Sequence, residues 1–315
     1  MKPLHRRTPL WESKPLSALL GARVCLKLEA LQPTGSFKIR GVGHACQAAF
    51  TEGARGLVAS SGGNAGYAVA YSGRLLGLPV TIVVPETTSS RMLKLLRDED
   101  ATVISQGASW DDSHTVALDL ARRQEAAYIH PFDDPRLWAG HATMVREIQE
   151  AGMRPDLVVL AVGGGGLLCG VLEGMHLAGW KDVPICAVET EGADSFQRSV
   201  KARRLVTLPA ITSVATSLGA RQVASRALTW TESHRVLPWV VSDRSTVGAV
   251  LRFADDHRLL VEPACGAALA AVYDRAEPLL RAKNVLVVVC GGAGVTVQLL
   301  AQWSKLLEAN SPSRE

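Results

Sequence analysis

The stretch LVVLAVGGGGL at residues 157–167 decides the fold, because a short apolar run leads directly into four consecutive glycines. An apolar run of this length, bounded by glycine, predicts a buried β-strand. Residues after Leu167 continue as a helical pattern, so the stretch predicts a strand at 157–161, a tight loop and the start of a helix. Successive glycines expose backbone N–H groups at a helix start, and such groups bind phosphate. We therefore predict an α/β protein with an anion-binding loop at this strand end.

The same alternation extends along the chain. Further apolar runs predict strands at 24–28, 57–59, 80–84, 102–105, 185–188 and 285–289, and helical patterns cover 65–76, 111–125, 144–151 and 264–282. Alternating strands and helices are typical of doubly wound parallel sheets. We predict two αβ domains with mostly parallel sheets and the active site in the cleft between them. The larger would comprise residues 1–40 and 140–315, and the smaller, inserted domain residues 41–139, with a tail at 310–315.

Composition excludes several classes of protein. The formal net charge is only +4 over 315 residues, and the basic runs at 122–123 and 201–204 are short, so we expect no nucleic-acid partner. The six cysteines form no Cys-x-x-Cys pair, which argues against structural zinc and a disulfide framework. No apolar segment has the length of a signal peptide or a membrane span, so we expect a soluble, cytoplasmic protein without a membrane partner.

Lys38 is the first candidate for chemistry. It ends the segment PTGSFK at residues 33–38, and a lysine amine can form a Schiff base with an aldehyde cofactor. The adjacent Phe37 supplies apolar surface, and desolvation lowers the pKa of a lysine towards its nucleophilic form. A nucleotide P-loop is excluded because Phe precedes and Ile follows the lysine, and the dinucleotide fingerprint fails at residues 163–170. A second glycine-rich loop, SGGNAG at 61–66, also follows a predicted strand.

Four motifs together resemble one family. These are SFKIR at 36–40, SSGGNAG at 60–66, GGGGL at 163–167 and VCGG at 289–292. Through these motifs the chain resembles the fold-type-II pyridoxal phosphate enzymes, whose fold is that of the tryptophan synthase β-subunit. PFDDP at 131–135 and LVEPACGAA at 260–268 resemble the L-serine dehydratase/L-threonine deaminase branch, including its serine dehydratase-like members. The resemblance implies an ammonia-lyase of the EC 4.3.1 type, which converts serine to pyruvate or threonine to 2-oxobutanoate, with release of ammonia by β-elimination.

The resemblance also implies a role for each matching residue. Lys38 would hold pyridoxal phosphate as a Schiff base and take the α-proton of the substrate. Phe37 and Ser217 would flank the ring, Asn64 would bind its hydroxyl group and the Cys290 thiol would face its nitrogen. The phosphate would be bound by Gly163, Gly164, Gly165, Gly166 and Leu167. The substrate carboxylate would be bound by Ser61, Gly62, Gly63, Asn64 and Ala65. A thiol leaves the ring nitrogen largely neutral, which suits β-elimination.

Assembly and ion binding are implied by the resemblance alone. It implies a homodimer of an enzyme of amino-acid catabolism. From the short tail after Ala301 we expect no C-terminal regulatory domain. The resemblance also implies a monovalent cation such as K⁺, held by Glu189 and by the carbonyl groups of Gly163, Ala193, Leu218 and Ala220. From the residues themselves, a carboxylate at a strand end is more often a helix cap or a surface charge.

The chain departs from the family at a few positions. Ala293 and Gly294 stand where similar dehydratases carry a polar residue, and Gly62 and Ser217 match the serine dehydratase-like members, so we expect slow turnover. The preference for serine or threonine stays open. Alternatives on the same fold are serine racemase, threonine synthase and cysteine synthase types, and a non-catalytic binder is a further one.

Overall fold

The computed structural model describes residues 1–309, so the predicted tail at 310–315 lies outside the described residues. The strands are β1 Leu10–Glu12, β2 Arg23–Leu28, β3 Leu57–Ala59, β4 Val80–Val84, β5 Thr102–Ser105, β6 Ala127–Tyr128, β7 Leu157–Ala161, β8 Ile185–Thr190, β9 Val236–Val241 and β10 Asn284–Val289. The helices are α1 Lys14–Leu20, α2 Lys38–Thr51, α3 Asn64–Leu76, α4 Ser90–Asp98, α5 Trp110–Arg123, α6 Pro135–Glu150, α7 Gly166–Leu177, α8 Ser195–Ala202, α9 Ser225–Ser233, α10 Asp243–His257, α11 Pro263–Tyr273 and α12 Val297–Ala309.

The larger sheet has six strands in the order β1-β2-β10-β7-β8-β9. All neighbouring pairs are parallel except β1 with β2. Every residue of β7 and β8 is buried, as expected for a parallel sheet with helices on both faces. The predicted α/β class with mostly parallel sheets is confirmed.

The smaller sheet is also parallel and has the order β5-β4-β3-β6. All its strands fall within residues 57–128, inside the segment predicted as an inserted domain. The proposed boundaries at 40/41 and 139/140 lie within α2 and α6. These helices cross closely, since a Cβ atom at Gly140 would lie only 2.4 Å from the carbonyl oxygen of Arg40. The division into domains at these residues therefore stays a prediction.

Two predicted helix limits are wrong by nine residues. Helix α6 begins at Pro135, nine residues before the predicted start, because Pro suits a first helical position and the Asp134 side chain accepts a hydrogen bond from Arg136 N at 2.8 Å. Helix α11 ends at Tyr273 rather than at 282. Arg275 has a φ of +54°, which is incompatible with continuing the helix.

A buried ionic cluster fixes the start of α2. Arg40 is fully buried and donates to Glu29 at 2.6 Å and to Glu147 at 2.7 Å, and Lys27 donates to Glu147 at 2.6 Å. Two cations and two carboxylates compensate one another, which a buried charge requires. Because Arg40 lies two residues after Lys38, the cluster holds in place the helical turn that carries the candidate lysine.

Candidate active site

Lys38 and Cys290 lie side by side at the carboxyl edge of the larger sheet. Cys290 follows the last residue of β10, and its carbonyl oxygen accepts a hydrogen bond from Phe37 N at 3.1 Å. A β-bridge between Ser36 and Gly291 strengthens this contact. Lys38 is the first residue of α2, so the structure brings together a lysine and a cysteine that are 252 positions apart in the sequence.

The Lys38 amine is held in a desolvated position. Its Nζ donates to the carbonyl oxygen of Pro131 at 2.6 Å and lies 5.3 Å from the centre of the Phe37 ring. Burial lowers the pKa of Lys38 to about 8, and nearby Cys290 opposes this shift. An amine with this pKa is neutral for part of the time near neutral pH and can act as a nucleophile and as a base.

The loop Gly163–Gly166 offers backbone N–H groups at the start of α7. Within the described part of the chain, the N–H groups of Gly163, Gly164 and Gly165 donate to no protein acceptor. A Cβ atom at Gly164 would lie 2.3 Å from the ring of Phe132, and one at Gly163 would lie 2.9 Å from the Cα of Leu218. Gly165 has a φ of +87°, which favours glycine. The glycines thus permit close packing and leave donors for an anion, whereas Leu167 is buried in the core.

The second glycine-rich loop connects β3 to α3. Gly63 is the N-cap of α3 and Asn64 its first residue, and no side chain caps this helix start. A Cβ atom at Gly66 would lie 1.8 Å from the carbonyl oxygen of Ser61, so the turn requires glycine there. Ala65 is buried behind the loop. The uncapped helix start suits a carboxylate ligand.

The Cys290 thiol is buried and protonated. The Cys265 thiol, which shares a hydrogen bond with it, and burial hold the pKa of Cys290 well above its usual range. A neutral thiol is a weak hydrogen-bond partner, as the prediction for the ring nitrogen requires.

Sequence reasoning missed Glu262 as a member of the site. Its carboxylate accepts hydrogen bonds from Asn64 Nδ2 at 2.9 Å and from Ser217 Oγ at 2.7 Å, which brings two predicted cofactor contacts to one group. Glu262 is 6% exposed. It lies in the motif LVEPACGAA, but a Glu before a Pro at a helix start has the pattern of an ordinary helix cap.

His130 was also missed. Its Nδ1 accepts hydrogen bonds from Phe132 N at 3.2 Å and Asp133 N at 2.8 Å, and burial lowers its pKa to about 4. A neutral ring therefore folds the PFDDP segment into a turn. This turn carries the Pro131 carbonyl that binds Lys38 and the Phe132 ring that packs on Gly164.

Glu189 acts as a helix cap. Its two carboxylate oxygens accept hydrogen bonds from Phe196 N at 2.8 Å and Gln197 N at 2.7 Å, at the start of α8. Burial raises its pKa to about 8. Among residues 1–309, no group of three or more His, Cys, Asp or Glu side chains could hold a metal ion. A monovalent cation bound mainly by carbonyl groups stays a prediction.

These residues fit pyridoxal phosphate. The aldehyde would react with the Lys38 amine, and the phosphate would accept hydrogen bonds from the free N–H groups of Gly163, Gly164 and Gly165. The ring hydroxyl would bind the amide of Asn64. The donor set thus matches the chemistry of the cofactor group by group.

Comparisons with known proteins agree with this site. Residues 1–291 match the family model described as "Pyridoxal-phosphate dependent enzyme". The chain is 52% identical to "Serine dehydratase-like" of Mus musculus, over 96% of this chain and 94% of that one. It is 46% identical to "L-serine dehydratase/L-threonine deaminase" of Bos taurus, over 97% of each chain. The crystal structure of a fungal L-serine ammonia-lyase from Rhizomucor miehei superposes with a TM-score of 0.90 at 39% identity, covering 96% of this chain and 99% of that one. The chain therefore belongs to the pyridoxal-phosphate dependent enzyme family.

Proposed function

We propose that the protein is an L-serine/L-threonine ammonia-lyase that releases ammonia and yields pyruvate from serine or 2-oxobutanoate from threonine. The observation that carries this proposal is the Lys38 amine, with its lowered pKa, next to the protonated Cys290 thiol. Both relatives are named for serine and one also for threonine, which supports hydroxy amino acids as the substrate class.

When bound, pyridoxal phosphate supplies an electron sink that makes the α-proton of the amino acid acidic. The uncapped start of α3, with residues 61–65, binds and orients the substrate carboxylate. The Lys38 amine takes the α-proton and holds it at Nζ, which a pKa of about 8 permits near neutral pH. The apolar ring of Phe37 excludes water from this amine.

A coupled assay tests the proposal. The protein, loaded with pyridoxal phosphate, is incubated with L-serine, L-threonine or D-serine, and the 2-oxo acid is measured with a dehydrogenase. We expect product from L-serine and L-threonine, none from Lys38→Ala, and unchanged rates for the exposed Lys181→Ala. A chromophore-bearing protein that releases no 2-oxo acid from L-serine contradicts the proposal, as does a Lys38→Ala variant with full activity.

We also propose that a monovalent cation such as K⁺ binds at Glu189. Support comes from the burial of Glu189 and from the close approach of Gly163 to Leu218. Activity should fall when K⁺ is replaced by tetramethylammonium, and equal activity in both salts contradicts the site.

The cellular setting stays a prediction. Residues 1–309 contain no helix that combines the length and apolarity needed to cross a bilayer. Sedimentation of the purified protein tests the expected homodimer, and fractionation of cells tests the expected cytoplasmic location.

A further inference from the structure

Glu262 directs its carboxylate into the cleft and away from its own helix. It occupies the N-cap position of α11, where a side-chain oxygen usually accepts a hydrogen bond from the first turn. Glu262 makes no such bond. Its side chain instead meets donors from three other parts of the chain, although it is 6% exposed.

Those three donors are all neutral groups. Glu262 Oε2 accepts from Asn64 Nδ2 at 2.9 Å and from Ser217 Oγ at 2.7 Å, while Oε1 accepts from Gly294 N at 2.6 Å. Asn64 belongs to the segment of the smaller sheet, whereas Ser217 and Gly294 belong to the part of the chain that carries the larger sheet. One carboxylate therefore joins both sides of the cleft.

The loop after Cys290 is shaped around this carboxylate. A Cβ atom at Gly292 would lie 2.2 Å from Glu262 Cδ, and one at Gly294 would lie 2.9 Å from Glu262 Oε1. Any side chain at position 294 would approach the carboxylate that its own N–H binds.

The contacts also fix the orientation of the Asn64 amide. Its Oδ1 accepts a hydrogen bond from Ala293 N at 2.9 Å, and one hydrogen of its Nδ2 goes to Glu262. The reversed amide would place Oδ1 against a carboxylate and an N–H group against another N–H group. The second Nδ2 hydrogen has no acceptor in the described part of the chain, so it remains for a ligand.

We propose that Glu262 is a positioning residue for pyridoxal phosphate, which acts by holding Asn64 as a donor towards the ring hydroxyl group of the cofactor. The hydroxyl of Ser217 is held in the same way, because its hydrogen is directed to Glu262 and its lone pairs are left for the cleft. A donor facing the ring oxygen stabilises the deprotonated form of that oxygen.

Only an acceptor-only group satisfies all three donors. Glutamine presents one oxygen and one NH₂ group, so in Glu262→Gln at least one of Asn64 Nδ2 and Gly294 N would face another N–H group. Where the glutamine NH₂ faces Asn64, rotation of the Asn64 amide would pair its oxygen with that NH₂ but set its own NH₂ against Ala293 N. Neither orientation then satisfies both neighbours, so Asn64 is no longer held as a donor towards the ring hydroxyl. Loss of the carboxylate thus reaches the cofactor through Asn64.

A double-mutant cycle tests this route, and it rests on the proposed function because it requires a protein that binds pyridoxal phosphate. Glu262→Gln, Asn64→Ala and the double variant are titrated with the cofactor, and the ratio of the two absorption bands of the bound cofactor is recorded. We expect Glu262→Gln to weaken binding about tenfold when Asn64 is present and less than about threefold in the Asn64→Ala background. The band ratio should change in Glu262→Gln and not change further in the double variant.

Controls separate positioning from folding. Glu232→Gln, an exposed carboxylate on α9, should change neither affinity nor band ratio. If Glu262→Gln does not fold, Glu262→Asp takes its place in the cycle, because its shorter side chain cannot reach all three donors.

Equal losses of affinity with and without Asn64 would overturn the role given to Glu262. Failure of the unaltered protein to bind pyridoxal phosphate overturns the proposed function as well. Non-additive binding without release of 2-oxo acid overturns the proposed function alone.

Discussion

Replacement of Lys38 by Met should stabilise the protein prepared without pyridoxal phosphate, and the gain should depend on pH. Burial lowers the pKa of Lys38 from 10.5 to about 8, which corresponds to about 3 kcal/mol opposing the folded state when the amine is protonated. Below about pH 8 both folded and unfolded chains carry this proton, so the cost is complete. Between pH 8 and 10.5 the folded protein has released the proton and the unfolded chain has not, so stability rises with pH and the cost disappears.

Methionine removes this cost and also removes the hydrogen bond to the Pro131 carbonyl, a loss of about 1 kcal/mol at every pH. We therefore expect Lys38→Met to be more stable than the unaltered protein by about 2 kcal/mol at pH 7 and about equally stable at pH 10. Urea unfolding at a series of pH values measures the difference. Lys181→Met, at an exposed position, is the matched control and should show no such trend. A difference between Lys38→Met and the unaltered protein that stays constant from pH 7 to 10 refutes the reasoning.

Three further predictions concern the packing of Gly164, the reactivity of the Cys290 thiol and the buried ionic cluster around Arg40. Gly164→Ala sets a Cβ atom 2.3 Å from the Phe132 ring, so it should destabilise the protein by about 1–3 kcal/mol and weaken cofactor binding, as urea unfolding and titration would show. Gly248→Ala, in open space on α10, is its control and should stabilise by about 0.5–1 kcal/mol. Cys290 should resist iodoacetamide in the folded protein at pH 8, because its raised pKa keeps the thiol protonated, and mass spectrometry would detect labelling that contradicts this. Arg40→Met leaves two buried carboxylates short of their partner and should cost about 3–5 kcal/mol, and unchanged urea midpoints would contradict the importance of the cluster.

The central strands could be predicted because burial on both faces produces a short apolar run in the sequence. The limits of the central strands β3, β4 and β7 agree with the predicted ones residue for residue, and so do those of the edge strand β5. A strand buried on both faces is largely apolar, and the four glycines after β7 mark where that strand ends. Sequence alone therefore identifies the strands that carry the site.

The three missed strands, β1, β6 and β9, all lie at sheet edges. An edge strand has neighbours on one side only, so its residues need not be apolar, and β1 and β6 are only three and two residues long. In β9, Pro238 interrupts the apolar run, and proline is tolerated in a strand at an edge. Such segments become strands because a neighbouring strand pairs with them, which their own pattern does not show.

The active site likewise contains some residues that a local motif identifies and others that only distant contacts identify. The Lys38 segment and both glycine-rich loops are contiguous motifs, and their residue types alone indicate an amine and two anion sites. Glu262 has no such motif, because its partners at 64, 217 and 294 come from three distant segments. Nothing in its neighbours distinguishes a carboxylate that caps its own helix from one that turns into the cleft. Its position is indicated instead by two distant glycines, because Gly292 and Gly294 have no side chain where Glu262 lies. A glycine-rich segment that follows a buried strand can thus indicate a side chain packed against it as well as an anion bound to it, and only the fold distinguishes the two.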